Sequence, residues 1–284
     1  MAELAAAAES FRGQPCLRLN WGPDDSLLVA LHGAHVLSWT GAGRERLYLS
    51  PRAVFDGQAA IRGGVPVCLP QFNERGPLPK HGFARNLSWR CAGARVDVAS
   101  GDVLFTLELD SDAATRAQWP ADFRFALTLR LGPGRLEMLL ALHNTGSEAW
   151  PFTGALHTYL QVDDIAGVRL QGLDGQPCWD ALADTRAAQA GELRFDGEFD
   201  RVFRAAPAPL RLLDGDSVLE IAQSASFEDT VVWNPGAAKC ATLADMAPDS
   251  YLQMLCVEAA QVERPFLLAP GAQWTGWQRL TVVA

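Results

Sequence analysis

Hydrophobic positions along the chain fall in short alternating or continuous runs punctuated by Gly, Pro, Asn and Asp. These runs are Leu27–Leu31, Val96–Val98, Val103–Leu109, Phe123–Leu131, Leu136–Leu142, Ala155–Val162, Val168–Leu170, Val218–Ala222, Thr230–Trp233, Tyr251–Ala259 and Trp274–Val283. Apolar runs of this length bounded by turn formers predict β-strands. Gly132-Pro133-Gly134, between Leu131 and Arg135, predicts a hairpin. Helical patterning is scarce; Asp180–Ala190 carries it best, with a loop as the alternative. Many strands without βαβ alternation imply an all-β fold, a large antiparallel sandwich. The pattern shows no internal repeat and no low-complexity linker. Residues 13–284 are expected to form a single domain after an N-terminal extension at 1–12. Within that extension Met1–Phe11 is Ala-rich and reads as a frayed terminal helix.

Composition narrows the function classes. The 284 residues include 24 Lys+Arg against 33 Asp+Glu, a formal charge of −9, with 49% hydrophobic residues. An acidic chain argues against nucleic acid and anionic membrane surfaces as partners. No apolar run approaches a membrane span, and the start lacks the basic and apolar regions of a secretory signal. Six Cys without a CxxC pair are expected to be free thiols in a reducing cytoplasm, with Cys68 and Cys256 serving as small core residues. Charge is unevenly spread, however. Ile61–Arg90 holds Arg62, Arg75, Lys80, Arg85 and Arg90 against Glu74 alone, a local +4 that leaves −13 for the remainder. A basic island in an acidic chain is a candidate anion site.

The same window is dense in Gly and Pro and therefore reads as a shaped loop, within which Arg62, Gln71, Lys80, His81 and Arg85 can converge. The alternative is a solvated loop whose arginines pair with surface acids. Strand alternation puts His157 on one face with Ala155 and Tyr159; a lone strand histidine is more often structural than catalytic. Glu258 shares an apolar face with Cys256 and Met254, where burial would raise its pKa toward that of a useful general base. A salt bridge to a neighbouring Arg explains it equally well. His32 and His35, three apart in a strand-like run, make a poor metal pair. HExxH, Walker and nucleophile-elbow motifs are absent from the sequence.

Ordered motifs go further. Arg62-Gly63-Gly64-Val65-Pro66-Val67-Cys68-Leu69-Pro70-Gln71-Phe72 is followed by Leu78-Pro79-Lys80-His81-Gly82-Phe83-Ala84-Arg85-Asn86. Then come Ala155-Leu156-His157-Thr158-Tyr159, Gly172-Leu173-Asp174-Gly175, Glu198-Phe199-Asp200-Arg201-Val202-Phe203, Val232-Trp233-Asn234-Pro235 and Cys256-Val257-Glu258-Ala259-Ala260. From about residue 30 to the C-terminus the chain resembles the hexose-6-phosphate epimerase branch of the aldose 1-epimerase superfamily. The resemblance implies a β-supersandwich and anomer interconversion without a cofactor. Glu258 then matches the general base at the C1 hydroxyl and His157 the acid at the ring oxygen. His81 matches the second histidine, Asp200 an acid that binds sugar hydroxyls, and Arg62 with Arg85 the 6-phosphate clamp. Two positions depart from the pattern: Asn73 stands where Gly is expected and Lys80 where Gln is commoner.

Three functions follow as expectations. The first is a cytoplasmic hexose-6-phosphate 1-epimerase, with glucose 6-phosphate foremost, a small-molecule hexose phosphate as its partner and a monomer as default. The second is a mutarotase for unphosphorylated aldoses, disfavoured by the two arginines. The third is a non-catalytic sugar-phosphate binding protein, disfavoured by an acid–base pair that binding alone does not require.

Overall fold

Three antiparallel sheets carry the computed structural model, which describes residues 7–283. The first is a five-stranded meander of Ala7–Phe11, Gln14–Trp21, Asp25–Ala30, His35–Gly41 and Arg44–Glu45. The second has eight strands, in the order Arg169–Gln171, Leu210–Asp214, Ser217–Gln223, Gln273–Val283, Arg135–Asn144, Phe123–Gly132, Val103–Asp110, Arg90–Val96. The third runs Thr185–Ala188, Pro177–Asp180, Phe199–Arg204, Asp229–Asn234, Met254–Leu268, Trp150–Leu156, Val67–Cys68, and Tyr159–Gln161 adds to Met254–Leu268. Expectation and structure agree on an all-β fold.

The period-2 pattern explains the second sheet directly. Phe123, Phe125, Leu127, Leu129 and Leu131 are buried on one strand, and Leu136, Met138, Leu140 and Leu142 on the next. Gly132 pairs with Arg135 across the expected hairpin, where Gly134 takes φ +56°, a conformation glycine adopts without strain. These side chains meet Leu27, Val29 and Trp39 of the first sheet and Leu255, Val257 and Ala259 of the third in one continuous core. Truncating any of the buried leucines to Ala would cost about 2–5 kcal/mol.

Several local expectations need correction. Ala7–Phe11 is a strand paired with Gln14–Trp21 rather than a helix; residues 1–6 of the expected frayed segment lie outside the described residues. Asp180–Ala190 is no helix either, because Pro177–Asp180 and Thr185–Ala188 pair as a hairpin. Val96 ends a strand, and Val98 lies beyond it, fully exposed. His32 and His35 flank a turn between two strands, and their Nε2 atoms bond the carbonyls of Ala59 and Gly63. Tyr251–Ala259 begins as a 3-10 turn, Ser250–Gln253, before the strand starts at Met254.

One interruption positions the chemistry. Ala155–Val162 is two strands, broken at His157-Thr158. Thr158 turns into the core to bond Gln278, whose amide also donates to the Val257 carbonyl at 2.9 Å. His157 therefore projects to the opposite side, and its own backbone N–H donates to Pro66 at 3.0 Å.

Candidate active site

Alternation divides the strand Met254–Leu268 between two environments. Leu255, Val257 and Ala259 enter the main core, whereas Cys256 and Glu258 face away from it. Register then aligns neighbours on that outward face. Asp200 pairs with Trp233, Trp233 with Cys256, and Cys256 with Tyr159; one row along, Val231 pairs with Glu258. His157 lies beside Glu258, Nδ1 to Oε1 3.3 Å, close but not aligned as a hydrogen bond. The His157 ring stacks on Tyr159 with centroids 4.8 Å apart and meets the edge of Trp233.

The Gly/Pro-rich loop folds over this face to make a cleft of roughly 390 Å³, within the range of small-molecule sites. Gly82 allows its closest approach. At φ +68° a Cβ there would collide with the Leu69 carbonyl, which accepts from Phe83 and Ala84 N–H at 3.0 and 3.1 Å. His81, also in the left-handed region at φ +65°, is pinned to Asn73 twice. Its N–H donates to the Asn73 carbonyl at 3.0 Å, and Asn73 N–H donates to Nδ1 at 3.2 Å. With Nδ1 an acceptor, the neutral ring carries its proton on Nε2. Asn73 itself sits at φ +50°, which accounts for a position where glycine is expected and asparagine is tolerated.

Burial governs the charges. Glu258 is 1% exposed, and desolvation, followed by repulsion from Asp200, raises its pKa well above the usual carboxylate value. Among the described residues no Arg or Lys pairs with it, so the salt-bridge alternative is overturned. Desolvation, reinforced by His81, Arg62 and Arg85, drives His157 well below 6.5. His81 falls to about 2, from burial and then from Arg85 and Lys80. Asp200 rises to about 6 because it is desolvated and near Glu198, an effect Lys80 partly offsets. The Tyr159 phenol is raised by burial and stays neutral.

Of the expected residues, His157, Glu258, His81, Asp200, Arg62 and Arg85 all line the cleft, together with Lys80. Gln71 does not. Its amide donates to the Asn73 and Leu78 carbonyls and accepts from Leu78 N–H, each at 2.9 Å; it braces the loop from behind. Arg62 is partly committed, donating from Nε to Asp245 at 3.0 Å and from Nη1 to the Tyr159 hydroxyl at 2.9 Å. Arg85 donates to the Lys80 carbonyl at 2.8 Å, and its buried Nε has no partner among the described residues. The rest of the basic island points elsewhere. Arg75 lies over Trp179, and Arg90 pairs with Glu108 and Asp110.

Other cleft residues escaped the sequence reading. Lys239, on the short helix Gly236–Cys240, brings a further positive charge, and Glu198 a negative one. Asp245, which orients Arg62, is 183 positions away from it, and no local pattern marks it. Trp233 had a signal, since it lies in the quoted Val-Trp-Asn-Pro motif. The Asn234 side chain there bonds the Tyr251 and Met254 carbonyls and the Gly236 N–H at 2.8 Å, which holds the Lys239 helix against the sheet.

No helix among the described residues is long and apolar enough to cross a membrane. Comparison with known proteins agrees with the geometry. The family model for aldose 1-epimerase matches residues 17–281. A Cenchrus ciliaris protein named "Putative glucose-6-phosphate 1-epimerase" is 37% identical over 265 residues, covering 90% of this chain and 80% of that one. An Escherichia coli protein of the same name is 38% identical over 245 residues, covering 84% and 80%. The crystal structure of a "putative mutarotase" from Salmonella typhimurium superposes with TM-score 0.89 at 31% identity, over 97% of this chain and 92% of that one. With that model spanning nearly the whole chain and such relatives more than 35% identical over most of their length, this enzyme belongs to the aldose 1-epimerase family.

Proposed function

We propose that the enzyme interconverts the α and β anomers of a hexose 6-phosphate, with glucose 6-phosphate as the foremost substrate. The reading rests on one observation above all. Glu258 and His157 stand 3.3 Å apart, both buried, in a cleft that Arg62, Lys80, Arg85 and Lys239 also line. The names carried by the Cenchrus and Escherichia relatives support the phosphorylated substrate.

Ring opening moves two protons and no electrons, so the residues themselves suffice. Burial favours the pair's proton on Glu258, and the reactive form is the charge-separated one with that proton on His157. The Glu258 carboxylate takes the proton of the C1 hydroxyl as the C1–O5 bond breaks, and His157 delivers its proton to O5. The open-chain aldehyde remains, with Glu258 protonated and His157 neutral. Rotation about C1–C2 exposes the other carbonyl face. O5 then attacks C1 as His157 retrieves its proton and Glu258 returns the first to the new C1 hydroxyl. The pair holds one proton throughout, and burial favours the neutral arrangement that accompanies the open chain. An acid and a base each contribute about 10²–10⁴-fold.

The other groups position the sugar. His81 offers an Nε2–H donor toward the ring, fixed by its bond from Asn73. Asp200 accepts from sugar hydroxyls at the far side of the cleft. Arg62 and Arg85 take the phosphate, for which a planar guanidinium fork is suited; Lys80 and Lys239 add to the positive field. One observation favours a mutarotase of free aldoses instead: Asp245 already neutralises part of the Arg62 charge.

Exchange NMR on paired substrates separates the two readings. Saturation transfer between the α and β C1–H signals should be strongly accelerated for glucose 6-phosphate and much less for glucose at equal concentration. Equal acceleration of both would remove the phosphate from the substrate definition. Acceleration of neither would remove the epimerase assignment.

A further inference from the structure

The proposed acid–base pair leaves one buried nucleophile unused. Cys256 precedes Glu258 by two residues on the same strand, so its thiol emerges on the same face. A nitrogen of His157, the sulfur of Cys256 and a carboxylate oxygen of Glu258 all lie within 4.8 Å of one another. Cys256 is 0% exposed and Glu258 1%, with His157 at 8%. Two of these groups also carry unsatisfied atoms: His157 Nδ1 and Glu258 Oε2 have no hydrogen-bond partner among the described residues. Buried polar atoms without partners are uncommon and call for a reason.

We propose that His157, Cys256 and Glu258 form a latent site for a thiophilic divalent cation of the Zn²⁺ or Cd²⁺ class, whose binding blocks catalysis by occupying acid and base together. The donor set decides the class of ion. A thiolate, an imidazole and one carboxylate suit zinc and cadmium, whereas Mg²⁺ and Ca²⁺ require oxygen cages. Three protein ligands leave a fourth tetrahedral position toward the cleft, for water. Zinc bonds of about 2.0–2.3 Å set ligand atoms about 3.5 Å apart, so the present spread closes with shifts on the order of 1 Å. Two protons leave to solvent as the metal bonds form, that of the thiol and the one shared by Glu258 and His157, because each ligand must be deprotonated. Arg62 and Arg85 oppose the incoming cation, whereas the thiolate and carboxylate together neutralise it. The balance makes the site inhibitory and reversible rather than a permanent metal centre.

Binding is independent of the substrate assignment; only its consequence rests on the proposed epimerase activity. The test therefore reads both. CdCl₂ is titrated into the full-length protein while the ultraviolet thiolate-to-cadmium charge-transfer band is followed, and anomer exchange is measured on the same samples. The expected result is one saturating band and loss of exchange at the same cadmium concentration, with EDTA reversing both and excess glucose 6-phosphate delaying both. Cys256→Ala should retain exchange, lose that band, and require at least about tenfold more cadmium for inhibition, because even outer-shell changes cost 10–100-fold in metal affinity. Cys256→Ser serves the same purpose should the alanine variant fold poorly. The other five thiols, present in every sample, supply the background. Cadmium binding and inhibition unchanged in both variants would overturn the proposal, as would the absence of a saturating band in the parent protein. A band without any anomer exchange would sink the epimerase reading and leave the metal site standing.

Discussion

Replacing Glu258 with Gln removes the proposed base while keeping its shape. The amide cannot take the C1 hydroxyl proton, and the magnitude depends on whether another group can substitute. The other deep carboxylate in the cleft, Asp200, sits on Phe199–Arg204, with Asp229–Asn234 between that strand and the one carrying Glu258. Two strand spacings are about 10 Å, too far for proton transfer to the same oxygen. The whole general-base contribution should therefore be lost, about 10²–10⁴-fold in kcat, or roughly 3–5 kcal/mol of barrier. KM should change little, because Arg62, Arg85, His81 and Asp200 remain in place. Folding should also survive. A Gln amide can donate to His157 Nδ1, which has no partner among the described residues, and the substitution removes a carboxylate that burial disfavours as an anion. Exchange NMR over a range of enzyme concentrations, with the spontaneous rate subtracted, gives kcat; thermal unfolding reports integrity. A folded variant with kcat within a few-fold of the parent would refute the general-base assignment.

Three further outcomes follow from the same contacts. Arg62→Ala should raise KM for glucose 6-phosphate about 10–100-fold, the worth of a charged hydrogen bond, while kcat/KM for glucose changes little; equal losses on both substrates would dismiss the clamp. Gln71→Ala removes three hydrogen bonds and strands the Leu78 carbonyl and N–H, so it should lower stability by about 1–3 kcal/mol, read as a reduced urea midpoint, and an unchanged midpoint would show that the loop is braced elsewhere. His35 is fully buried near His32 and Arg85, with its pKa depressed from 6.5 to about 3, chiefly by desolvation. The unfolded chain binds that proton first, so the stability His35 confers is complete above pH 6.5 and lost as pH falls toward 3, at about 1.4 kcal/mol per unit. His81 and His157, depressed by the same burial, add slopes of the same sign. His35→Gln should therefore lower the slope of stability against pH in urea titrations at pH 7, 5.5 and 4.5 by about 1.4 kcal/mol per unit, and identical slopes in both proteins would assign the effect to other groups.

The sequence made the strands legible wherever one face is buried and the other is not. Phe123–Gly132 and Arg135–Asn144 alternate cleanly because they lie mid-sheet against the core. The failures occur where that contrast disappears. Thr185–Ala188 is exposed along its length, so the hairpin around Asp180 carries no period-2 signal and its alanines imitate a helix. Ala7–Phe11 is a solvent-facing edge strand with the same composition bias. In the cleft, His157 and Glu258 were visible as polar residues interrupting apolar faces. Gln71 looked like a ligand because the loop around it is rich in functional residue types; its hydrogen bonds show a brace instead. Lys239 and Asp245 were invisible, since only tertiary folding brings the first into the cleft and the second to Arg62.

The basic island illustrates how local charge and local chemistry diverge. Five positive residues within 30 positions suggested an anion site, yet only Arg62, Lys80 and Arg85 reach the cleft, and Lys239 joins them from another element. Asp245 then offsets one of these, and Glu198, Asp200 and Glu258 line the same space. The cleft is therefore a mixed-charge site, suited to a ligand that is anionic at one end and rich in hydroxyls at the other. A bare polyanion would meet Asp200 and Glu258 wherever it extended past the arginines. A neutral sugar would leave the buried Nε of Arg85, unpartnered among the described residues, without an anionic acceptor. On the proposed reading a phosphorylated monosaccharide would satisfy both ends at once, its phosphate at the guanidinium groups and its hydroxyls at the acids. The same buried carboxylate that makes the site costly to fold is thereby the group proposed to serve a bound C1 hydroxyl.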